Sequence, residues 1–453
     1  MLPDEALLAI FDFYVYEKSI HVWQTLVHVC RRWRGVVFGS PRRLNLRLFC
    51  TSTTPSRDTL DVWPAFPILI QDSDVLAEDM DRLVSLVERS ERVCLIELWG
   101  LRSPLDKFFA AMQEPYPLLT DLVLDSPDET LPVVPDSFLG GSAPRLISLS
   151  LERIPFPGLP KLLLSATQLG YLYLTKIPHA GYISPEALVP ALSALPNLGS
   201  FKLEFQSPQS HPDPPSRRPP PPTRTVVSFI GFWFQGDSKY LEDLVARIDA
   251  PRLIGFYIIF FIQIVSDTAQ LVQFIDRTPK LKALENARFA FETWAASVEL
   301  YTRTPYFRTL DVTVLCEKLT WQLLSLQRVI TSPLPLLSTS ENLYIYEIKS
   351  SDLYWLDHID PALWLELLHP FAAVKNLYLA EKIAPHIVPA LQELAEDRTT
   401  EVFPILQNIF LEVVEPSKPV LESLKRFVTA REVTGHPITV TPWDRDGTGF
   451  DDG

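Results

Sequence analysis

Short apolar segments recur along most of the chain with the pattern L-x-x-L-x-L, in which other apolar residues often replace leucine. Alternation at period two predicts a short strand with one buried face. A single strand cannot bury that face alone, so neighbouring copies must stack. The copies are centred on residues 96, 122, 149, 172, 201, 232, 256, 284, 310, 343, 377 and 409.

Helix signals lie between the predicted strands. Ser184-Pro185 and Asp360-Pro361 each place a capping side chain before a proline at the first helical position. Strand and helix alternating every 23 to 34 residues indicate an irregular, parallel β/α solenoid of the leucine-rich-repeat type. An α/β sheet that is not a solenoid stays an alternative. Apolar residues at i, i+3, i+4 spacing predict further helices over 238–248, 266–275, 321–330, 384–395 and 419–430.

One segment is rich in proline and interrupts the alternation of strands and helices. Residues 207–225 contain SPQSHPDPPSRRPPPPTR, which can neither pair into a sheet nor continue a helix. We expect an extended loop inserted between two repeats. Its Pro219-x-x-Pro222 spacing suits an SH3-type groove, but a solvated loop without a partner is the simpler interpretation.

The first 49 residues do not follow the repeat. Leu2-Pro3-Asp4-Glu5 opens a helix, with acids near the positive end of its dipole. A second helix is predicted over about 22–37, and Ser40-Pro41 ends it. So few short helices cannot close a core by themselves, so their apolar surface belongs against a partner or the adjacent repeats.

This block resembles an F-box. The matching stretches are LPDEALLAIF at 2–11, VCRRWR at 29–34 and SPRRLNLRL at 40–48. Phrases such as AGYISPEA, YLEDLVARIDAPRL and LELLHPFAAVKNLYL resemble the leucine-rich-repeat F-box proteins of mushroom-forming fungi. The chain is therefore divided into an F-box helical domain (1–49), a connector and first cap (50–90), a repeat solenoid (91–430) and a C-terminal strand with an acidic tail (431–453).

The resemblance implies a substrate receptor of an SCF-type cullin-RING ubiquitin ligase. The F-box would dock a Skp-family adaptor, and through it a cullin, while the repeats hold a target protein of unknown identity. A repeat scaffold with a degenerate F-box and no ligase role is the alternative. The adaptor contacts that the resemblance implies are Leu2, Pro3, Glu5, Leu8, Phe11, Val29, Cys30 and Trp33.

Target binding is predicted on the alternate strand positions, which point away from the buried face. These positions are rich in aromatic and acidic residues, with Lys202 as the one base, which favours a basic target segment. The aromatic residues could instead cover one another across neighbouring strands. The predicted target-binding residues are Asp121, Asp125, Glu152, Tyr171, Tyr173, Trp233, Tyr257, Tyr344, Tyr346 and Tyr378.

Charge and motifs exclude several function classes. The net charge of −14 argues against nucleic-acid or anionic-membrane binding, although residues 1–50 carry seven Lys/Arg against four Asp/Glu. The most apolar run, 253–265, is shorter than the ~20 residues that span a bilayer. Four scattered cysteines indicate a reducing compartment, so a cytoplasmic or nuclear location is expected. Phosphate-loop, dinucleotide, zinc-protease and serine-hydrolase motifs are missing from the sequence, so we expect no enzyme, cofactor or metal.

Overall fold

The alternating apolar segments form short strands, and helices follow most of them, in a computed structural model of the chain. The fold is mixed α/β with mostly parallel strand pairing. The chain divides into an N-terminal unit, Met1–Pro214, and a C-terminal unit, Pro215–Gly453. The structure describes residues 2–18, 23–52, 64–102, 105–128, 131–208, 223–261, 268–282, 284–302, 309–316, 318–331, 337–348, 359–393, 402–412 and 417–445.

Strands of the N-terminal unit lie side by side in chain order, and each pairs in parallel with the next. Leu122, Leu149, Leu172 and Phe201 are neighbours in this register and are fully buried. The predicted apolar stripe is therefore a continuous row of the core. The strands are β1 (Leu48–Cys50), β2 (Ile68–Ser73), β3 (Val93–Trp99), β4 (Asp121–Asp125), β5 (Ser148–Glu152), β6 (Tyr171–Ile177) and β7 (Ser200–Phe205).

The helices of this unit include the predicted one after Ser184. The Ser184 hydroxyl accepts the Ala187 N–H at 3.3 Å, which confirms the predicted cap. The helices are α1 (Asp4–Lys18), α2 (Trp23–Val29), α3 (Arg31–Gly39), α4 (Met80–Val87), α5 (Leu105–Ala111), α6 (Leu159–Leu163) and α7 (Pro185–Ser193).

The second helix predicted over 22–37 is in fact two helices, α2 and α3. Cys30 separates them with an extended backbone, φ −160° and ψ 167°. Its thiol accepts the Trp33 N–H at 3.4 Å and so caps α3. The prediction of one helix was wrong because a cysteine is an unusual cap, whereas Ser, Thr, Asp and Asn are the usual ones.

Strands of the C-terminal unit follow a different order. Their sheet runs β9, β11, β14, β13, β12, β15, β16, β17, β18, and β8 pairs with β10 separately. The strands are β8 (Thr225–Val226), β9 (Gly231–Gly236), β10 (Ile248–Asp249), β11 (Gly255–Phe260), β12 (Asn286–Phe291), β13 (Ala295–Tyr301), β14 (Thr309–Leu315), β15 (Asn342–Glu347), β16 (Asn376–Leu379), β17 (Asn408–Leu411) and β18 (Thr439–Pro442).

Strand β13 breaks the predicted parallel array, because it is antiparallel to both β12 and β14. Residues 292–294 connect β12 to β13, and the Glu292 N–H donates to the Ala295 carbonyl at 2.8 Å. So short a connection can only form a hairpin, since a parallel crossover needs a dozen or more residues. The predicted strand centre at residue 284 was also wrong, because β12 begins at Asn286.

Helices predicted from apolar spacing are confirmed in the C-terminal unit, with ends that differ by a few residues. The Asp360 carboxylate accepts the Ala362 N–H at 3.0 Å, as its predicted capping role requires. The helices are α8 (Ser238–Arg247), α9 (Ala269–Arg277), α10 (Leu319–Thr331), α11 (Pro361–Leu368), α12 (Ala384–Glu393) and α13 (Lys418–Val433).

Among the described residues, every helix is either too short or too polar to span a bilayer. The proline-rich residues 209–222, with Pro219 and Pro222, lie outside the described residues, as does most of the acidic tail, 446–453.

Candidate recognition surfaces

Helix α1 carries apolar side chains on two of its sides. Leu7 and Phe11 point inward, and the Phe11 ring meets the Trp33 ring of α3 with 4.8 Å between centroids. On another side, Ile10 is 50% exposed and Phe13 is 64% exposed. A helix that is apolar on most of its circumference is normally buried on most of it, so the side with Ile10 and Phe13 is suited to a protein contact.

The helices α1–α3 are held firmly against the rest of the N-terminal unit. The Trp23 indole N–H donates to the Arg47 carbonyl at 2.9 Å, and the Trp23 ring packs on Phe66 at 5.5 Å between centroids. Arg32 and Asp4 form an ion pair of 2.7 Å that ties the start of α1 to α3. The exposed side of α1 is therefore presented on a fixed support.

The residues predicted to contact the adaptor occupy three kinds of position. Phe11 is only 1% exposed, which corrects the prediction that its ring is available to a partner: the ring is used in packing on Trp33. Leu8 and Trp33 are half-buried. The remaining predicted contacts are exposed: Leu2, Pro3, Glu5, Val29 and Cys30.

Sequence reasoning missed the exposed apolar side of α1. Ala6, Ala9, Ile10 and Phe13 are spaced i, i+3, i+4, i+7, which places them on one side of a helix. Ala6 is half-buried and Ala9 is exposed. That spacing is present in the sequence, but the F-box resemblance selects Leu8 and Phe11 of this helix instead.

The acidic face predicted on the N-terminal unit is largely neutralised within the chain. Arg153 pairs with Asp125 at 2.9 Å and with Glu152 at 3.3 Å, and Lys176 pairs with Glu152 at 2.8 Å. Arg153 and Lys176 were missed because both have left-handed backbone, with φ of 61° and 51°, at the ends of their strands. Two bases outside the predicted outward positions, Arg153 and Lys176, therefore pair with Asp125 and Glu152.

Two further predicted target-binding residues of this unit differ in exposure. Tyr171 is 51% exposed, whereas Tyr173 is half-buried and its hydroxyl lies 3.0 Å from the Ser200 hydroxyl. Asp121 accepts the Thr120 hydroxyl at 2.7 Å. Tyr171 is thus the aromatic residue of this set that offers the most surface.

A row of in-register residues crosses the sheet of the C-terminal unit, and we call it the central row. All its members lie on the strand face opposite the buried leucine and valine positions. The row brings four of the predicted target-binding residues into one line with three charged residues that sequence reasoning did not select. In strand order it consists of Trp233, Tyr257, Asp311, Glu299, Arg288, Tyr344, Tyr378 and Phe410.

One end of the central row is an aromatic pair. The Trp233 and Tyr257 rings stack with 5.1 Å between centroids and 4° between planes. Each ring folds back over a glycine: a Cβ at Gly231 would lie 2.6 Å from the Trp233 ring, and one at Gly255 would lie 3.1 Å from the Tyr257 ring. The missing side chains at these glycines therefore let both rings lie flat on the sheet.

The middle of the row is a charged group of two acids and one base. Arg288 and Glu299 form an ion pair across β12 and β13, and the Arg288 guanidinium lies 5.5 Å from the Tyr301 ring centroid. Burial, reinforced by the Glu299 carboxylate, raises the pKa of Asp311 to about 7, although Arg288 opposes the rise. Burial also raises the pKa of Glu299. One acid of this group therefore titrates near neutral pH.

The other end of the row is an aromatic stack formed by Tyr344, Tyr378 and Phe410. Successive ring centroids are 4.2 Å and 4.4 Å apart, and the planes are within 15° of parallel. Tyr344 is only 3% exposed and Tyr346, on the same strand, only 5%. This corrects the prediction that both offer free surface; the residues after β18 cover them.

Beside the aromatic stack runs a ladder of asparagine side chains at the first positions of the strands. Each amide N–H donates to the amide oxygen of the previous strand, at 3.0, 2.7 and 2.7 Å. Sequence reasoning missed the ladder, although the recurring Asn-Leu-Tyr and Asn-Ile-Phe pattern carried the signal. The ladder residues are Asn286, Asn342, Asn376 and Asn408.

Neither a scan of the chain against protein-family models nor a search of curated proteins returned a match.

Proposed function

We propose that this chain is a protein-binding receptor subunit whose N-terminal helices dock a Skp-family adaptor, and through it a cullin, while its strand faces hold a target protein. Such a subunit would recruit the target to an SCF-type ubiquitin ligase and would do no chemistry itself. In this proposal the N-terminal block is an F-box and the strand and helix alternation is an irregular leucine-rich repeat.

The observation that carries the proposal is the exposed apolar side of α1. Ile10 and Phe13 lie on it, and Leu2 and Val29 of the same block are also exposed. Covering a large apolar side chain contributes about 1.5–3 kcal/mol, so the set is large enough to anchor a partner. Helix α1 is already fixed by the packing of Phe11 on Trp33 and by the Asp4–Arg32 ion pair, so little order is lost on binding.

The target-holding half of the proposal is supported by aromatic groups on the central row. Tyr and Trp are typical anchors of protein interfaces because they cover large area with few rotatable bonds. Trp233, Tyr257 and Tyr378 are half-buried and therefore retain accessible ring surface. Tyr171 adds an exposed ring on the N-terminal unit.

The test is association with a purified Skp-family adaptor, measured by calorimetry on the full chain. Changing Ile10→Asp and Phe13→Asp together should weaken binding at least about a hundredfold, since two apolar anchors are lost and each ~1.4 kcal/mol is tenfold. Both positions are exposed, so the variant should keep the native circular dichroism spectrum.

Leu164→Asp is the matched control, because Leu164 is similarly exposed, at 55%, but lies outside the N-terminal block. It should leave adaptor binding unchanged. Absence of adaptor binding by the unaltered chain would rule out the ligase role and leave the scaffold with a degenerate F-box.

A further inference from the structure

The segment from Thr439 to Arg445, which we call the C-terminal strap, runs beside β17 as strand β18 and then passes over the aromatic stack. Its strand β18 is the last of the sheet and pairs only with β17 among the described strands. The Thr439 N–H donates to the Gln407 carbonyl at 2.9 Å, and the Trp443 N–H donates to the Leu411 carbonyl at 2.6 Å. All four β18 residues are exposed. An exposed edge strand of this length is among the easiest elements to detach.

Trp443 of the strap fills the space above the stack. Its ring centroid is 5.5 Å from that of Tyr378 and 6.0 Å from that of Tyr344, at steep angles. The Trp443 side chain is 4% exposed. The strap thus seats an aromatic residue on an aromatic face that the strands present outward.

Arg445, two residues further on, occupies an acidic position beside the stack. Its guanidinium lies 4.5 Å from the Tyr346 ring centroid and donates to the Glu347 carbonyl at 3.1 Å. One oxygen of the buried Glu347 carboxylate has no hydrogen-bond partner among the described residues. Burial, together with Glu412, raises the pKa of Glu347, whereas Arg445 lowers it. The position is therefore suited to a guanidinium, which has enough N–H donors to serve both a carbonyl and a carboxylate.

We propose that the aromatic stack is a binding face for a partner segment that carries an aromatic residue and, two positions later, an arginine, and that the strap occupies this face until such a partner displaces it. The strap shows the chemistry that the face accepts: a ring on Tyr378 and a guanidinium on Tyr346 and Glu347. This inference names the target class within the proposed function and does not depend on adaptor binding.

The experiment compares a chain ending at Pro442 with one ending at Arg445, which differ only in the residues that cover the stack. The probe is a fluorescent peptide with the sequence of residues 436–447, and a second peptide carries alanine in place of the tryptophan and the arginine. The peptide should bind the shorter chain at least about tenfold more tightly than the longer one. The alanine peptide should bind both chains weakly.

Equal affinity for the two chains, or equal affinity of the two peptides, would overturn the proposal. The chain ending at Pro442 is one host for the peptide, and the full chain with Trp443→Ala and Arg445→Ala is a second host. The second host keeps β18 but lacks the two side chains that cover the aromatic stack. Unfolding of both hosts would also overturn it, because a segment that the fold requires cannot be displaced. Failure here with intact adaptor binding would leave the ligase role standing and remove only this target class.

Discussion

At the scale of single residues, the environment of Asp311 shows how the sheet changes the chemistry of a side chain. Asp311 lies between Tyr257 and Glu299 in the register of the central row. The Thr313 hydroxyl donates to it at 3.4 Å. Burial and the second acid nevertheless dominate, and the pKa of Asp311 rises to about 7.

This pKa predicts a pH dependence of stability. Between the unfolded pKa of 3.8 and the folded pKa of about 7, the folded chain holds one more proton than the unfolded chain, so stability falls as pH rises. Changing Asp311→Asn should therefore raise the free energy of unfolding at pH 8 by about 1–3 kcal/mol, after discounting for solvent. At pH 4 the effect should be near zero.

Urea unfolding at the two pH values measures this difference. Asp276→Asn is the control, because it removes a carboxylate that is about half-exposed and pairs with Lys282 at 3.2 Å. A variant at Asp311 that is equally destabilised at pH 4 and pH 8 would contradict the burial of this acid.

At the scale of elements, the asparagine ladder fixes the register of four strands. Asn376 is one of its two middle members, since it donates to Asn342 and accepts from Asn408, both at 2.7 Å. A strand slipped by one residue would turn these amides inward and the neighbouring leucines outward. The ladder therefore stabilises the alignment of the faces as well as the sheet.

Changing Asn376→Ala should lower the free energy of unfolding by about 1–3 kcal/mol, because two half-buried amide groups lose their partner. Thermal and urea unfolding followed by circular dichroism measure the loss. Asn197→Ala is the matched control, since the exposed Asn197 amide makes one hydrogen bond, to the Thr167 carbonyl at 3.1 Å. An equal loss of unfolding free energy in both variants would show that the ladder stabilises the fold no more than one exposed hydrogen bond does.

At the scale of the whole molecule, the two proposed binding surfaces belong to different compact units. The exposed side of α1 is in the N-terminal unit, and the aromatic stack with its strap is in the C-terminal unit. Substitutions in one unit that are more than ~10 Å from the other site should have additive effects. We therefore expect the two binding functions to be separable.

The Ile10→Asp and Phe13→Asp variant of the chain ending at Pro442 should lose adaptor binding and keep its affinity for the strap peptide within about twofold. Conversely, the Trp443→Ala and Arg445→Ala variant should keep adaptor binding unchanged. Calorimetry with both ligands on each variant measures this. Loss of both functions in either variant would indicate that the two units do not act independently.

The number and position of most strands and helices could be predicted from the sequence. Each of these elements depends on the spacing of apolar residues within its own short segment, and that spacing is visible in the sequence. The caps at Ser184 and Asp360 belong to the same class, since a cap acts within three residues. The break at Cys30 and the hairpin at 292–294 could not be predicted from the repeat, because each is a local departure from the average unit.

By itself, the sequence determined which residues alternate between a buried and an outward face, and therefore the mixed α/β fold. It also supplied the F-box resemblance and the aromatic residues of the outward face. These depend on spacing along the chain, which is a local property. The tertiary structure alone decided what covers that outward face. Arg153 reaches Asp125 and Arg445 reaches Tyr346 only after distant segments are brought together, so no local pattern could reveal which surfaces remain open.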